Sequence, residues 1–209
     1  MINDFSLLVT DSIWQGIYTS FSQVESQQEY SFDTLIWAKS QIRDLNNILN
    51  NDASVNSKYM LKTIFDIYAL SETNVKILDF GGGLGITYIS DFSNVNVTSL
   101  ALYAIIERPE LCRIGRSMLR KFQNLHFFDS LIDDEVDDEV DIIFCGSSFH
   151  YVDDWKKKLT AFSSLNPNII LFSDIPAGQN IQFVTTQSYY NDKIPVRFFN
   201  VATLSDFMT

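Results

Sequence analysis

The residues with the clearest chemical consequence are Ile77-Leu78-Asp79-Phe80-Gly81-Gly82-Gly83-Leu84-Gly85. An apolar run ends in an acid, and glycines then recur at every second position from 81 to 85, with one more at 82. So many glycines would be wasted in a strand or helix and imply a tight turn. Val75 to Phe80 reads as a buried strand, and Ile86 to Phe92 as the start of a helix. A strand, a glycine turn and a helix N-terminus make a cradle for a nucleotide or cofactor. Glycine lets the backbone approach the ligand, and the free amides of the first helical turn face it. Gly81, Gly83 and Gly85 follow Gly-x-Gly-x-Gly rather than the dinucleotide fingerprint Gly-x-Gly-x-x-Gly, and the phosphate loop with Gly-Lys-Ser/Thr is absent. Asp79, just ahead of the glycines, would repel a pyrophosphate and suits a ligand that carries positive charge.

The elements that would position such a site follow in order. Ser99 to Ile106 is rich in strand formers and ends at Glu107, 22 residues past Gly85. An acid at that strand tip can accept both hydroxyls of a ribose; an ordinary surface glutamate is the plainer alternative. Leu125 to Phe128 reads as a third strand ending at Asp129-Ser130, and Asp141 to Cys145 as a fourth, followed by Gly146-Ser147-Ser148-Phe149-His150-Tyr151. Ile169 to Ser173 reads as a fifth, ending at Asp174-Ile175-Pro176. Pro109 opens a helix running to about Lys121, and Asp153-Asp154 precede a helix over Trp155 to Ser164. This alternation predicts an α/β fold, a parallel sheet with helices on both faces. Asp79, Glu107, Asp129 and Ser147 all fall at the carboxyl ends of the strands, where such sheets bind ligands.

On these residues the chain resembles the class I S-adenosylmethionine-dependent methyltransferases, whose first motif is apolar-Asp-x-Gly-x-Gly-x-Gly; Leu78 to Gly85 matches it throughout. The resemblance implies a Rossmann-like fold and S-adenosylmethionine as cofactor, whose ammonium and sulfonium agree with an acid at position 79. It implies that Asp79, Phe80, Gly81, Gly82, Gly83 and Gly85 meet the methionine part, Glu107 the ribose, and Asp129 with Ser130 the adenine, with further contacts from Gly146 and Ser147. A methyl group on a sulfonium is already activated, so the protein mainly aligns the acceptor. A hydroxyl or amine acceptor also needs a base. His150 is the leading candidate, because it follows the fourth strand and histidine titrates near neutrality; a histidine that packs against the cofactor or bonds to the backbone is the alternative. Tyr151, Asp174, Gln187 and Tyr190 are candidates for holding the acceptor, and Trp14 and Tyr18, either side of Gly16, for lining its site.

A narrower resemblance rests on Trp14-Gln15-Gly16-Ile17-Tyr18, Leu78 to Gly85, Phe144 to Tyr151, Asp174 to Gly178, Val184 to Gln187 and Ile194 to Asn200. Together these are similar to a group of bacterial methyltransferases that occur with surface-polysaccharide biosynthesis genes, a match over most of the chain from Trp14 onward. It implies a sugar, sugar nucleotide or glycan precursor as the small-molecule acceptor.

Residues 1–72 read as an N-terminal helical appendage and 73–209 as the cofactor-binding domain. Leu35, Ala38, Ile42, Leu45 and Leu49 paint one face of a helix, and Leu61, Ile64, Phe65 and Tyr68 that of another. These helices either pack on the sheet or form a lid. Only 35 residues follow Asp174, where the class I fold adds a helix and two more strands. The C-terminal strands are therefore expected to be missing, with Asn200 capping a short helix over Thr203 to Met208. A bare fifth strand would invite pairing with another chain as a homo-oligomer.

Composition sets the remaining bounds. A net charge of −11 argues against a nucleic-acid surface, and no apolar run approaches the ~20 residues of a membrane span. The start Met1-Ile2-Asn3-Asp4 lacks the basic residues of a secretion signal, and Cys112 and Cys145 read as free thiols, which together suggest the cytoplasm. Two His and two Cys, widely spaced, form no metal pattern. The acidic run Asp133 to Glu139 lacks the glycine and ligand spacing of a calcium loop and reads as a solvated turn. Arg113, Arg116 and Arg120 share a helix face that is either simply exposed or a phosphate contact. Two other functions stay open: a cofactor-binding module without turnover, and a nicotinamide-dependent oxidoreductase, against which Asp79 argues.

Overall fold

Apolar runs bounded by turn residues pair side by side in the computed structural model, which describes residues 13–25, 35–50, 59–96, 98–131, 139–179, 181–189 and 192–208. In chain order the elements are β1 (Trp14–Tyr18), α1 (Phe21–Glu25), α2 (Leu35–Leu49), α3 (Tyr59–Tyr68), β2 (Val75–Phe80), α4 (Ile86–Asp91), β3 (Leu100–Ile106), α5 (Pro109–Met118) and β4 (Leu125–Phe128). Then come β5 (Ile142–Gly146), a 3-10 turn at Phe149–Tyr151, α6 (Trp155–Ser163), β6 (Ile169–Ser173), β7 (Ala177–Gly178), β8 (Phe183–Tyr189), β9 (Asp192–Asn200) and α7 (Val201–Met208).

The main sheet has the order β4-β3-β2-β5-β6, and every neighbouring pair in it is parallel. Side chains alternate between its faces. Ile77, Tyr103, Ile105, Phe127, Ile142 and Phe144 point to one face, where they meet Trp37 and Leu45 of α2, Leu61 and Phe65 of α3, and Tyr88 of α4. Leu78, Ala104, Ile106, Phe128, Ile143 and Cys145 point to the other, against Phe149, Trp155, Leu159, Phe162 and Leu204. Covering both faces explains why these strands are apolar throughout rather than alternating. The chain builds outward from β2 to β4 and then returns to β5, so the crevice between the ends of β2 and β5 is where such a sheet binds ligands.

One contact sets how closely α5 approaches the sheet. A Cβ added at Gly115 would overlap the ring of Phe127, which is itself buried. Alanine normally favours a helix over glycine by about 1 kcal/mol. Here Gly115→Ala is expected instead to destabilise the protein by about 1–3 kcal/mol, as overpacked cores do, measured by urea denaturation.

The five-stranded sheet does stop at β6, but the residues beyond it are not short of strands. β8 and β9 form an antiparallel hairpin from Phe183↔Phe198 to Tyr189↔Asp192. It belongs to a second sheet of order β1-β8-β9-β7 and does not extend the first. Packing explains the displacement: Val184 of β8 joins Phe21 and Val24 of α1, and Phe199 of β9 packs on Phe149 and Trp155. The N-terminal segment is correspondingly not helical throughout. Trp14–Tyr18 is a strand antiparallel to β8, with an irregularity between Gln15 and Tyr18 where Gly16 has φ 78°. Asn200 caps α7 as expected, its Oδ1 accepting from the Thr203 amide at 2.8 Å.

Cys112 and Cys145 are free and buried. Arg116 donates to the Phe127 carbonyl and so ties α5 to β4. Residues 133–138 of the acidic run lie outside the described residues. Among the described residues no helix is long and apolar enough to cross a membrane.

Candidate functional site

The glycine turn after β2 forms the floor of a cleft of about 530 Å³ at the carboxyl ends of the strands. Gly81, Gly83 and Gly85 have φ of 72°, 58° and 80°, in the left-handed region that other residues enter only with strain. Their surroundings differ. A Cβ on Gly81 would lie 2.5 Å from Cβ of Ser148, and one on Gly85 would press on Ile105 and Leu119, so Gly85 faces the core and does not line the cleft. At Gly83 the only atoms within reach among the described residues belong to the Gln41 amide, with Oε1 at 3.0 Å. Gly83 is where the backbone itself faces the cleft.

Two carboxylates flank the turn. Asp79 is 1% exposed, yet it lines the cleft, and its Oδ2 accepts from the Tyr103 hydroxyl at 2.8 Å. Glu107 accepts two backbone bonds: its Oε2 accepts from the Gly83 amide at 3.2 Å and its Oε1 from the Arg108 amide at 2.9 Å. Glu107 also borders a second hollow of about 650 Å³, lined by Asp129, Ser130, Leu131, Lys157 and Lys158. The two hollows share Phe80, Gly81, Glu107, Arg108 and Val152, and so make one trough across the ends of β2, β3 and β4. Burial pushes the Lys158 ammonium pKa down, and its Nζ lies 5.1 Å from the centre of the Phe80 ring.

The far wall of the cleft comes from β5, the 3-10 turn, α2 and β8. Gly146 and Ser147 line it. Ser147 and Asp174, at the tips of β5 and β6, both have left-handed backbones, with φ of 57° and 54°. The Ser147 and Ser173 hydroxyls donate to Asp174 Oδ2 at 3.4 and 3.2 Å. Tyr151 lines the cleft and donates to Gln187 Oε1 at 2.8 Å; Trp37 Nε1 donates to the Tyr189 hydroxyl at 3.1 Å. Gln187 and Tyr189 are alternate residues of β8, so one face of that strand fastens both the 3-10 turn and α2 to the rim.

The structure thus brings together Asp79, Phe80, Gly81, Gly82, Gly83, Glu107, Gly146, Ser147 and Tyr151 at the cleft, with Asp129 and Ser130 in the adjoining hollow. It does not bring the others there. His150 is buried and lines neither hollow; its ring lies 4.0 Å from that of Tyr151, and its Nδ1 has no hydrogen-bond partner among the described residues. Burial pushes its pKa down to about 4, against an opposing pull from Asp174. Trp14 packs edge-on against Phe198, and Tyr18 against the Phe21–Val24–Val184 cluster, because β1 is a strand of the second sheet. Tyr190 lies outside the described residues.

Trp37, Gln41, Ser148 and Tyr189 line the cleft without having been singled out in the sequence. Trp37 and Gln41 are four residues apart on α2, a spacing that stacks side chains on one helix face. That pairing of an aromatic and an amide beside the apolar stripe was the available signal. Tyr189 carries none, since its partner at the rim, Trp37, lies 152 positions away in sequence.

No protein-family model matches the chain, and no curated protein matches it. Solved structures do. A S-adenosylmethionine-dependent methyltransferase from Clostridium acetobutylicum is similar over 81% of this chain and 85% of its own, with a TM-score of 0.52 at 12% identity. The N-terminal domain of EvdMO1, crystallised in the presence of S-adenosylhomocysteine (SAH) and D-fucose, is similar over 75% of this chain and 72% of its own, with a TM-score of 0.51 at 11% identity. The fold is that of the class I methyltransferases. The YcgJ protein of Bacillus subtilis reaches 20% identity, but over 50% of this chain and 45% of its own, with a TM-score of 0.40; this chain spans less than half of that protein.

Proposed function

We propose that the chain is a S-adenosylmethionine-dependent methyltransferase acting on an oxygen or nitrogen of a small polar acceptor. The observation that carries this reading is the pairing of a buried carboxylate, Asp79, with a turn whose left-handed glycine backbone keeps side chains out of the cleft. The residues present fit that cofactor. Asp79 supplies a negative charge in a dry setting for an ammonium or sulfonium, Gly81 to Gly83 give backbone access, and Glu107 offers a carboxylate already oriented by two amides for a ribose. Asp129 and Ser130, in the adjoining hollow, suit the adenine.

When bound, the cofactor supplies a methyl group already activated on its sulfonium. The protein's task is then alignment and exclusion of water. Gly146 and Ser147 are assigned to the cofactor, and Tyr151, on the far wall of the cleft, to acceptor binding, with Gln187 orienting its hydroxyl. We assign His150 to packing behind Tyr151 rather than to proton transfer, because it is buried, lines neither hollow and is a weak base with a pKa of about 4. Residues 1–72 act in this reading as an appendage that closes the cofactor-binding domain, 73–209; Trp37 and Gln41 at the rim support it. A sugar or glycan precursor made in the cytoplasm for a surface polysaccharide is the acceptor class we favour, on the sequence resemblance and on the D-fucose present with EvdMO1.

Calorimetric titration with SAH tests the cofactor site before any acceptor is known. Binding in the micromolar range is the expected result, and a folded sample that gives no binding overturns the reading.

A further inference from the structure

We infer that Tyr103 is a positioning residue for the cofactor: from inside the sheet its phenol orients the Asp79 carboxylate toward a cationic group in the cleft. This rests on the cofactor reading above and concerns how the site achieves it.

Tyr103 lies on β3 beside Ile77 of β2, two positions back from Asp79, so its side chain runs along the sheet to the acid. The residue is 0% exposed and the acid 1%. The Tyr103 ring is wedged between Tyr88, at 5.2 Å, and Phe92, at 5.3 Å, so the hydroxyl has no freedom to swing elsewhere. A core site of this kind is filled equally well by phenylalanine. The hydroxyl adds one thing, its 2.8 Å bond to Asp79 Oδ2. The neighbouring Tyr88 provides a contrast, since its hydroxyl goes to Asn124, which in turn holds the Leu100 carbonyl, a purely structural lock.

The choice of donor matters. A lysine or arginine would orient the carboxylate but cancel its charge. A phenol orients it and leaves the charge in place. Burial, reinforced by Asp79 itself, holds the Tyr103 phenol far above its usual range, so it remains a donor at every working pH. Asp79 is thereby presented to the cleft in a fixed orientation rather than one that must be found when a cation arrives.

The test compares two ligands on Tyr103→Phe. SAH carries the amino-acid part; 5′-methylthioadenosine has the same adenosine and thioether without it. SAH binding is expected to weaken about 5- to 30-fold, the effect of losing about 1–2 kcal/mol, and 5′-methylthioadenosine by less than about twofold. Equal weakening of both, or an unchanged SAH affinity, overturns the inference while leaving the cofactor reading intact. Wild-type protein that binds neither ligand overturns both. Should Tyr103→Phe fail to fold, Asp79→Asn is compared with Asp79→Asn/Tyr103→Phe, in which the buried charge is gone. With no charge to orient, the two must bind SAH equally. A further loss in the double variant assigns Tyr103 to the structure alone and overturns the inference.

Discussion

Gly83→Val is expected to give a folded protein whose SAH affinity has dropped by about 100-fold or more, near 3 kcal/mol. Two effects add. The backbone at this position has φ 58°, where a residue with a Cβ costs about 1–2 kcal/mol and a β-branched one more. The new methyl groups also stand in the cleft itself, since among the described residues the Gln41 amide is all that a Cβ would meet there. The core is untouched, so the melting temperature should fall modestly while binding collapses. The pair of measurements is calorimetry with SAH and a thermal melt. A variant that melts near wild type and still binds SAH would mean that the ligand never approaches the turn.

Glu107→Ala is the second. The carboxylate is fixed by the Gly83 and Arg108 amides at 3.2 and 2.9 Å and faces the junction of the two hollows. Its removal takes away two charge-assisted acceptors for a ribose, about 1.5–3 kcal/mol or 10- to 150-fold in SAH affinity. The amides it leaves are at the cleft surface and regain water, so stability should change little. A 2′-deoxy analogue of SAH provides the internal control: wild type should discriminate against it and the variant should not. Unchanged SAH affinity would remove the ribose role from Glu107.

The sheet was legible because its strands are local apolar runs that end in turn residues. The spans read for β2, β4 and β6 agree with the structure, and those for β3 and β5 differ by a residue. The glycine motif was legible for a different reason: left-handed backbone leaves a mark in residue type. That mark does not say which way a glycine faces, and Gly85, read with Gly81 and Gly83 as a ligand contact, turned out to meet Ile105 and Leu119. His150 stands out in the sequence for its place after a strand; burial, which decides its pKa, comes from what packs on the 3-10 turn, β9 among it. The hairpin of β8 and β9 is not legible although Phe183-Val184-Thr185-Thr186 is rich in strand formers, because it pairs outside the main sheet. Tyr103 read simply as a strand residue. Its meaning appears only when β3 is in register with β2.

The pairing of β1 with β8 links residues at opposite ends of the described chain, with the Thr185 hydroxyl bonded to the Gly16 carbonyl 169 positions away. During synthesis Trp14–Tyr18 emerges early and has no strand to join until Phe183–Tyr189 has been made. The main sheet is assembled from successive strand–helix units in the meantime, by contacts of far shorter range. The rim formed by Tyr189 on Trp37 and by Gln187 on Tyr151 is therefore the last part of the cleft to close. A nascent chain holds the glycine turn and Asp79 ready before it can enclose anything above them, and the enclosure arrives only once β8 has been made.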